Sequence, residues 1–190
     1  MKNLSFAGLF ALVLLAASVP AQAQVFTPTF QSPRLLNDVG VYLSDGPGDL
    51  AIEGVWRGGP LGLRVGFVDA AGGLLSVGGE LRNPLAVANA PLGLAFTAAA
   101  QGLIGGDNNA VGLQAGLSAG YTFRPQGAAL TPYIHPRIGI VNGLIGDDFE
   151  LEALADIGID AEFANNLIFR FGASLDDIGS SWGVGLSVRR

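Results

Sequence analysis

The chain has no cysteine and a single histidine, His135. The first absence excludes disulfides, thiol catalysis and cysteine-ligated metal sites. Charge is also scarce: 14% of the residues are Asp, Glu, Lys or Arg, against roughly 25% in soluble domains. There is no excess of positive charge, since the formal net charge is −6. The basic face that nucleic acid requires is therefore missing, and no nucleic-acid partner is expected. Beyond residue 23 there is no apolar run of the roughly 18 residues that a membrane helix needs. Gly, Pro or a charge interrupts every candidate.

That last absence conflicts with the rest of the composition. The chain is 49% hydrophobic, has a mean hydropathy of +0.45 and contains 29 glycines. A membrane β-barrel resolves the conflict, because only every second residue of its strands must face lipid.

The N-terminus reads as a targeting segment. Lys2 is followed by an apolar stretch from Leu4 to Ala17, then Pro20 and the small-x-small pattern Ala21-Gln22-Ala23. This order of regions is that of a signal peptide over residues 1–23, cleaved before Gln24. Residues 24–36, interrupted by Pro28 and Pro33, read as an extended periplasmic lead-in, with entry into the lumen as the lesser alternative. The barrel is expected over residues 37–190.

From Asn37 onward the chain alternates with a period of two, the strand signature. Leu61, Leu63, Val65 and Phe67 share one face, and Gly62, Arg64 and Gly66 the other. Val111, Leu113, Leu117 and Phe123 oppose Gly112, Gln114, Ser118 and Arg124. The segment 149–163 has a helix-favouring composition, but Glu150, Glu152, Asp156, Asp160 and Glu162 all fall at even spacing, which a strand explains and a helix does not. The whole pattern predicts an all-β, up-and-down antiparallel transmembrane barrel of about ten strands, with eight as the alternative. Leu63, Val65, Phe67, Leu113, Leu117, Ile138, Phe169 and Val184 are expected to face outward.

The connections also sort by parity. Odd ones carry Asp, as in Asp45-Gly46-Pro47-Gly48-Asp49 and Asp147-Asp148, whereas even ones such as Arg57-Gly58-Gly59-Pro60, Arg82-Asn83-Pro84 and Arg124-Pro125 lack acids. In an up-and-down barrel this makes one rim acidic and the other basic. The polar strand face is crowded with small residues, which suits a narrow lumen, and the apolar face carries the large ones, which suits lipid. Trp56, Tyr121, Phe123, Phe163 and Trp182 fall near strand ends, as an interfacial aromatic girdle would.

On these residues the chain resembles the family of small bacterial outer-membrane β-barrels, over about Asn37 to Arg190. Leu130-Thr131-Pro132-Tyr133 followed by Arg137-Ile138-Gly139 looks like a strand common in that family. The resemblance implies outer-membrane lipids and the outer-membrane assembly machinery as partners. The chain departs from the family at its end, Leu186-Ser187-Val188-Arg189-Arg190, where members usually carry a terminal aromatic.

The lumen is expected to hold a polar, ion-paired network of Glu53, Arg64, Glu80, His135, Arg137, Glu152, Asp156 and Arg170, because unpaired charges there would be costly. No metal site or cofactor is expected, since the acids are spread along strands rather than clustered. His135 is placed in the lumen half nearer the basic rim, and no nucleophile elbow accompanies Ser118, Ser174 or Ser187. The chain is accordingly expected not to be an enzyme. The leading expectation is a structural envelope barrel with a plugged lumen. The alternatives are a narrow, porin-like channel for small solutes and an outer-membrane hydrolase or acyltransferase, for which convergence of His135 with a hydroxyl and a carboxylate would be the sign.

Overall fold

The computed structural model describes residues 27–45, 50–69, 73–86, 92–105, 109–142, 150–175 and 180–190. Ten strands follow one another: β1 (Asp38–Asp45), β2 (Leu50–Gly58), β3 (Leu61–Val68), β4 (Leu74–Leu85), β5 (Gly93–Ile104), β6 (Ala110–Gly120), β7 (Ala128–Asn142), β8 (Glu150–Phe163), β9 (Leu167–Leu175) and β10 (Ser180–Arg189). Each pairs antiparallel with its neighbours in sequence. β1 meets β10 from Asp38↔Arg189 to Ser44↔Gly183, so the sheet closes as a ten-stranded barrel without an edge. The eight-strand alternative is excluded. Residues 149–163 do form a strand from Glu150 onward.

The two faces are inverted relative to a soluble protein. Leu63, Val65, Phe67, Leu113, Leu117, Ile138 and Phe169 are all exposed, at 44–64% of their full area. Val184 is half-buried among its outward neighbours. The fully buried large side chains include Arg57, Arg82, Arg170, His135 and Glu53. Water would penalise such an exterior, while lipid solvates it, so this is a membrane-spanning barrel with a polar inside. All five girdle aromatics are exposed: Trp56, Tyr121, Phe123 and Phe163 near one rim, and Trp182 near the other.

The rim reached by the β1–β2, β3–β4, β5–β6, β7–β8 and β9–β10 connections is called the odd rim here, and the opposite one the even rim. Most of the Asp-bearing connections lie outside the described residues; Asp45 and Asp69 stand at the odd ends of their strands. β4 differs from expectation. It runs through Arg82-Asn83-Pro84 to Leu85, where Pro84 pairs with Ala95, so the turn comes later than Asn83-Pro84 suggested. A Pro near a strand end forfeits little of the ladder.

Interior glycines set how closely the wall's large polar side chains can lie. Glu80 of β4 lies across Gly62 of β3, and its Cγ would be 2.5 Å from a Cβ there. Tyr42 of β1 covers Gly185 of β10 in the same way, with its ring carbons 2.4 Å from such a Cβ. Side chains thereby reach past the adjacent strand to partners two strands away.

Residues 1–23, read from sequence as a signal peptide, lie outside the described residues. The reading of residues 24–36 as a periplasmic lead-in is corrected. The described part, from residue 27 onward, joins no strand, and Thr27, Thr29, Phe30, Gln31 and Ser32 are buried inside the barrel. Its prolines and lack of alternation keep it out of the sheet, while its hydroxyls and amide match the polar wall.

Candidate functional site

Among the described residues, polar side chains from many strands converge in the lumen, which is organised in layers. Nearest the odd rim, Ala51, Val68, Leu74, Leu103, Ala110, Val141 and Leu154 form an apolar lining. Below it, the Glu53 carboxylate faces Arg64 at 3.4 Å and accepts a hydrogen bond from Ser76 at 2.8 Å, and Gln101 donates to Ser76 at 3.1 Å.

The middle layer is built around His135. Its strand β7 is 15 residues long and begins at Ala128, so His135 sits mid-lumen rather than nearer the basic rim as expected. Gly116 of β6 leaves the gap through which the ring crosses: a Cβ there would lie 2.9 Å from Nε2. His135 Nε2 therefore reaches the Thr97 hydroxyl of β5 at 2.7 Å, and Nδ1 lies 3.2 Å from Asp156 Oδ2 of β8. These contacts fit the tautomer with a proton on Nδ1 facing the carboxylate and a free Nε2 accepting from Thr97. Asp156 is shared. Arg137 donates to its Oδ1 at 2.8 Å, and Thr29 donates to its Oδ2 at 2.6 Å. Arg137 also donates to Ser174 at 2.8 Å and contacts Gln114.

Toward the even rim lies a second ion-paired group. Arg170 donates to Asp38 at 2.8 Å, to the Tyr42 hydroxyl at 2.5 Å and to Ser187 at 2.9 Å, and it lies 3.3 Å from Asp160. Arg57 donates to Glu80 at 2.6 Å and to the same Tyr42 hydroxyl at 2.5 Å. Buried carboxylates and guanidinium groups are equal in number among the described residues: Asp38, Glu53, Glu80, Asp156 and Asp160 against Arg57, Arg64, Arg82, Arg137 and Arg170. So many buried charges are tolerable only because they compensate one another.

Of the eight residues predicted for the network, seven take part in these clusters. They do not form one set, however. Glu53 pairs with Arg64, Asp156 with Arg137 and Asp160 with Arg170 across adjacent strands, whereas Glu80 reaches Arg57 and Arg170 reaches Asp38 two strands away. Glu152 lies half-buried opposite Gly139, toward the odd rim. Sequence reasoning missed Asp38, Tyr42, Thr97 and the residues of the inserted segment as network members. Asp38 and Tyr42 were already on the polar face; their shared partner Arg170 lies more than a hundred positions away, and alternation carries no information about that.

The inserted segment follows the layers. Arg34 pairs with Glu162 near the even rim at 2.8 Å, Ser32 donates to Asp160 at 2.6 Å, and Gln31 to Glu80 at 3.2 Å. Thr29 reaches the His135 layer, and Thr27 reaches Glu53 at 3.3 Å while accepting from Arg64 at 2.7 Å. The cavity left beside Thr29, Gln31, Arg64, Glu80 and Gln114 measures about 10 Å³, no more than room for one water. A larger hollow of about 530 Å³ is lined by the outward Trp56, Leu61, Leu63, Leu81 and Leu113 together with Glu80 and Gln114.

Thr97, His135 and Asp156 have the order of a hydroxyl–imidazole–carboxylate relay, in which the imidazole takes the hydroxyl proton and the carboxylate orients the imidazole. The Thr97 hydroxyl, like His135 and Asp156, is buried. Among the described residues no group of acidic or histidine side chains could hold a metal ion.

No protein-family model matches the chain, and no curated protein matches it. Among solved structures it is similar to the outer membrane enzyme PagL, with a TM-score of 0.41 and 15% identity over 80% of this chain and 98% of that one. With an outer-membrane enzyme among the similar structures, the expectation that this chain is not an enzyme does not stand. A likeness of that degree assigns it no activity, and what the chain itself establishes is a closed, ten-stranded barrel of the outer-membrane type.

Proposed function

We propose that this protein is an outer-membrane envelope barrel whose lumen is sealed by its own N-terminal segment. The observation that carries this reading is the insertion itself: Thr27, Thr29, Gln31 and Ser32 are buried, and each hydrogen-bonds to a wall carboxylate. Removal of a signal peptide before Gln24, insertion by the outer-membrane assembly machinery and solvation by outer-membrane lipids belong to the same reading. Refolded protein in planar bilayers should give a closed, flat current record at moderate voltage. A steady conductance from the intact chain would overturn the sealed state in favour of a narrow channel for small solutes.

A second reading is favoured by one observation, the Thr97–His135–Asp156 array. If residues near Thr29 withdraw, the Thr97 hydroxyl could attack an ester or amide carbonyl as His135 takes its proton; the carbonyl's bond to the leaving alcohol or amine breaks as His135 returns that proton to it, and water then hydrolyses the acyl-threonine. Intact protein in detergent should then hydrolyse a small activated ester slowly, and Thr97→Val should abolish the turnover. Absence of hydrolysis, or hydrolysis that survives Thr97→Val, removes this reading.

A further inference from the structure

The wall and the inserted segment differ in how their polar groups are satisfied. The buried ion pairs close within the wall itself: Arg57–Glu80 at 2.6 Å, Arg64–Glu53 at 3.4 Å, Arg137–Asp156 at 2.8 Å and Arg170–Asp38 at 2.8 Å. The segment adds no charge to these pairs. Its one charged side chain, Arg34, pairs with Glu162 near the rim. What it contributes inside is hydroxyls, an amide and backbone carbonyls: Arg57 donates to the Thr29 carbonyl at 3.2 Å, and Arg82 to those of Ser32 and Arg34 at 3.3 and 3.1 Å. A strut essential to the wall would complete its charge balance. This segment is held the way a bound peptide is held.

Phe30 supplies the apolar anchor. Its ring packs at 4.8 Å from Tyr42, over Gly172 of β9 and Gly183 of β10. A Cβ on Gly183 would lie 2.8 Å from the Phe30 ring, so the hole that receives the ring exists because of that glycine. The backbone at Phe30 has φ of +52°, a conformation that a bulky L-residue adopts only under constraint. The ring's fit in its hole and the flanking hydrogen bonds supply that constraint.

We propose that the lumen is a binding site for an extended peptide rich in hydroxyl and amide groups with one central aromatic side chain, and that residues 27–34 occupy it as a tethered blocker. With the blocker withdrawn, the lumen becomes an ion pathway of weak charge selectivity, because five buried acids face five buried arginines. Anchoring is by hydrogen bonds and one aromatic ring rather than by strand pairing, so release leaves the barrel ladder intact. This inference rests on the sealed-lumen reading.

The test is a variant lacking residues 27–34, recorded in planar bilayers beside the intact protein, with a synthetic peptide spanning Gln24 to Leu36 then added. The deletion variant should conduct, the peptide should block it, and a peptide carrying Thr29→Val and Phe30→Ala should not. A conducting intact chain overturns the sealed-lumen reading itself. A silent intact chain with a folded but silent deletion variant overturns this inference alone. So does a conducting variant that the peptide does not block, or that both peptides block equally. Should the deletion variant not fold, full-length Phe30→Gly replaces it: glycine accepts the positive φ but lacks the ring. Intermittent openings are then expected, and a closed record identical to that of the parent overturns the inference.

Discussion

Arg170→Ala is expected to lower the stability of the detergent-folded barrel by about 3–5 kcal/mol, the range for removing one partner of a buried ion pair. Arg170 is fully buried and holds Asp38, Tyr42 and Ser187 by hydrogen bonds and Asp160 by charge. Without it, Asp38 keeps, among the described residues, the more distant Arg57 at 3.9 Å as its charge partner, and Asp160 keeps the Ser32 hydroxyl. Two carboxylates would then be left in a lumen with almost no water to solvate them. The replacement also frees the Tyr42 hydroxyl from one of its two guanidinium donors. Leu63→Ala is the matching control. Leu63 is 60% exposed on the lipid side, so detergent or lipid fills the space and the loss stays well below that of a core truncation. The measurement is the urea midpoint for loss of the heat-resistant folded band on a gel. Equal midpoints for Arg170→Ala and the parent would mean that water reaches this group freely and that the lumen is not sealed.

Gly66→Val should prevent formation of the closed barrel or weaken it to the upper end of the overpacking range, about 3 kcal/mol or more. A Cβ at Gly66 would sit 2.0 Å from the Ile52 carbonyl oxygen and 2.6 Å from Glu53 Cα. Both are backbone atoms of β2, the strand that pairs with β3 through Glu53↔Gly66. Neither can move aside without parting the two strands, and parting them also separates Arg64 from Glu53. Gly79→Ala is the control, because a Cβ there has no neighbour nearer than 4.0 Å. It faces lipid and should change stability by no more than about 0.5 kcal/mol, as surface substitutions do. Folding yield after dilution from urea, followed by the heat-resistant band, separates the two variants. A normal yield for Gly66→Val would show that the β2–β3 contact is looser than 2.0 Å implies.

Much of this barrel was legible from side-chain alternation alone. The period of two in stretches such as Leu61–Val68 reports which residues share a face, and the identities on each face report which solvent it meets. That is enough to assign all ten strands, to place Leu63 and Ile138 in lipid, and to place Arg64, Arg137 and Arg170 in the lumen. Sequence placed the expected network residues on the inner face without assigning pairs among them, because alternation orders residues along a strand and says nothing about height across a closed barrel.

Sequence by itself determined the local and periodic properties: strand identity, inward and outward faces, the lack of a membrane helix, and the balance of charge on the inner face. Each follows from the geometry of a single strand or from composition. Tertiary structure alone decided the rest. Closure brought β1 against β10, so that Asp38 met Arg170 over a separation of 132 positions. The gap at Gly116 let His135 cross β6 and join Thr97 to Asp156. The Pro-interrupted stretch that looked like an external lead-in instead found its partners inside. No periodicity marks such a segment, because it pairs with no strand. Its place is set by the hydroxyl, amide and aromatic positions of the barrel that forms around it, and those exist only once ten strands have closed.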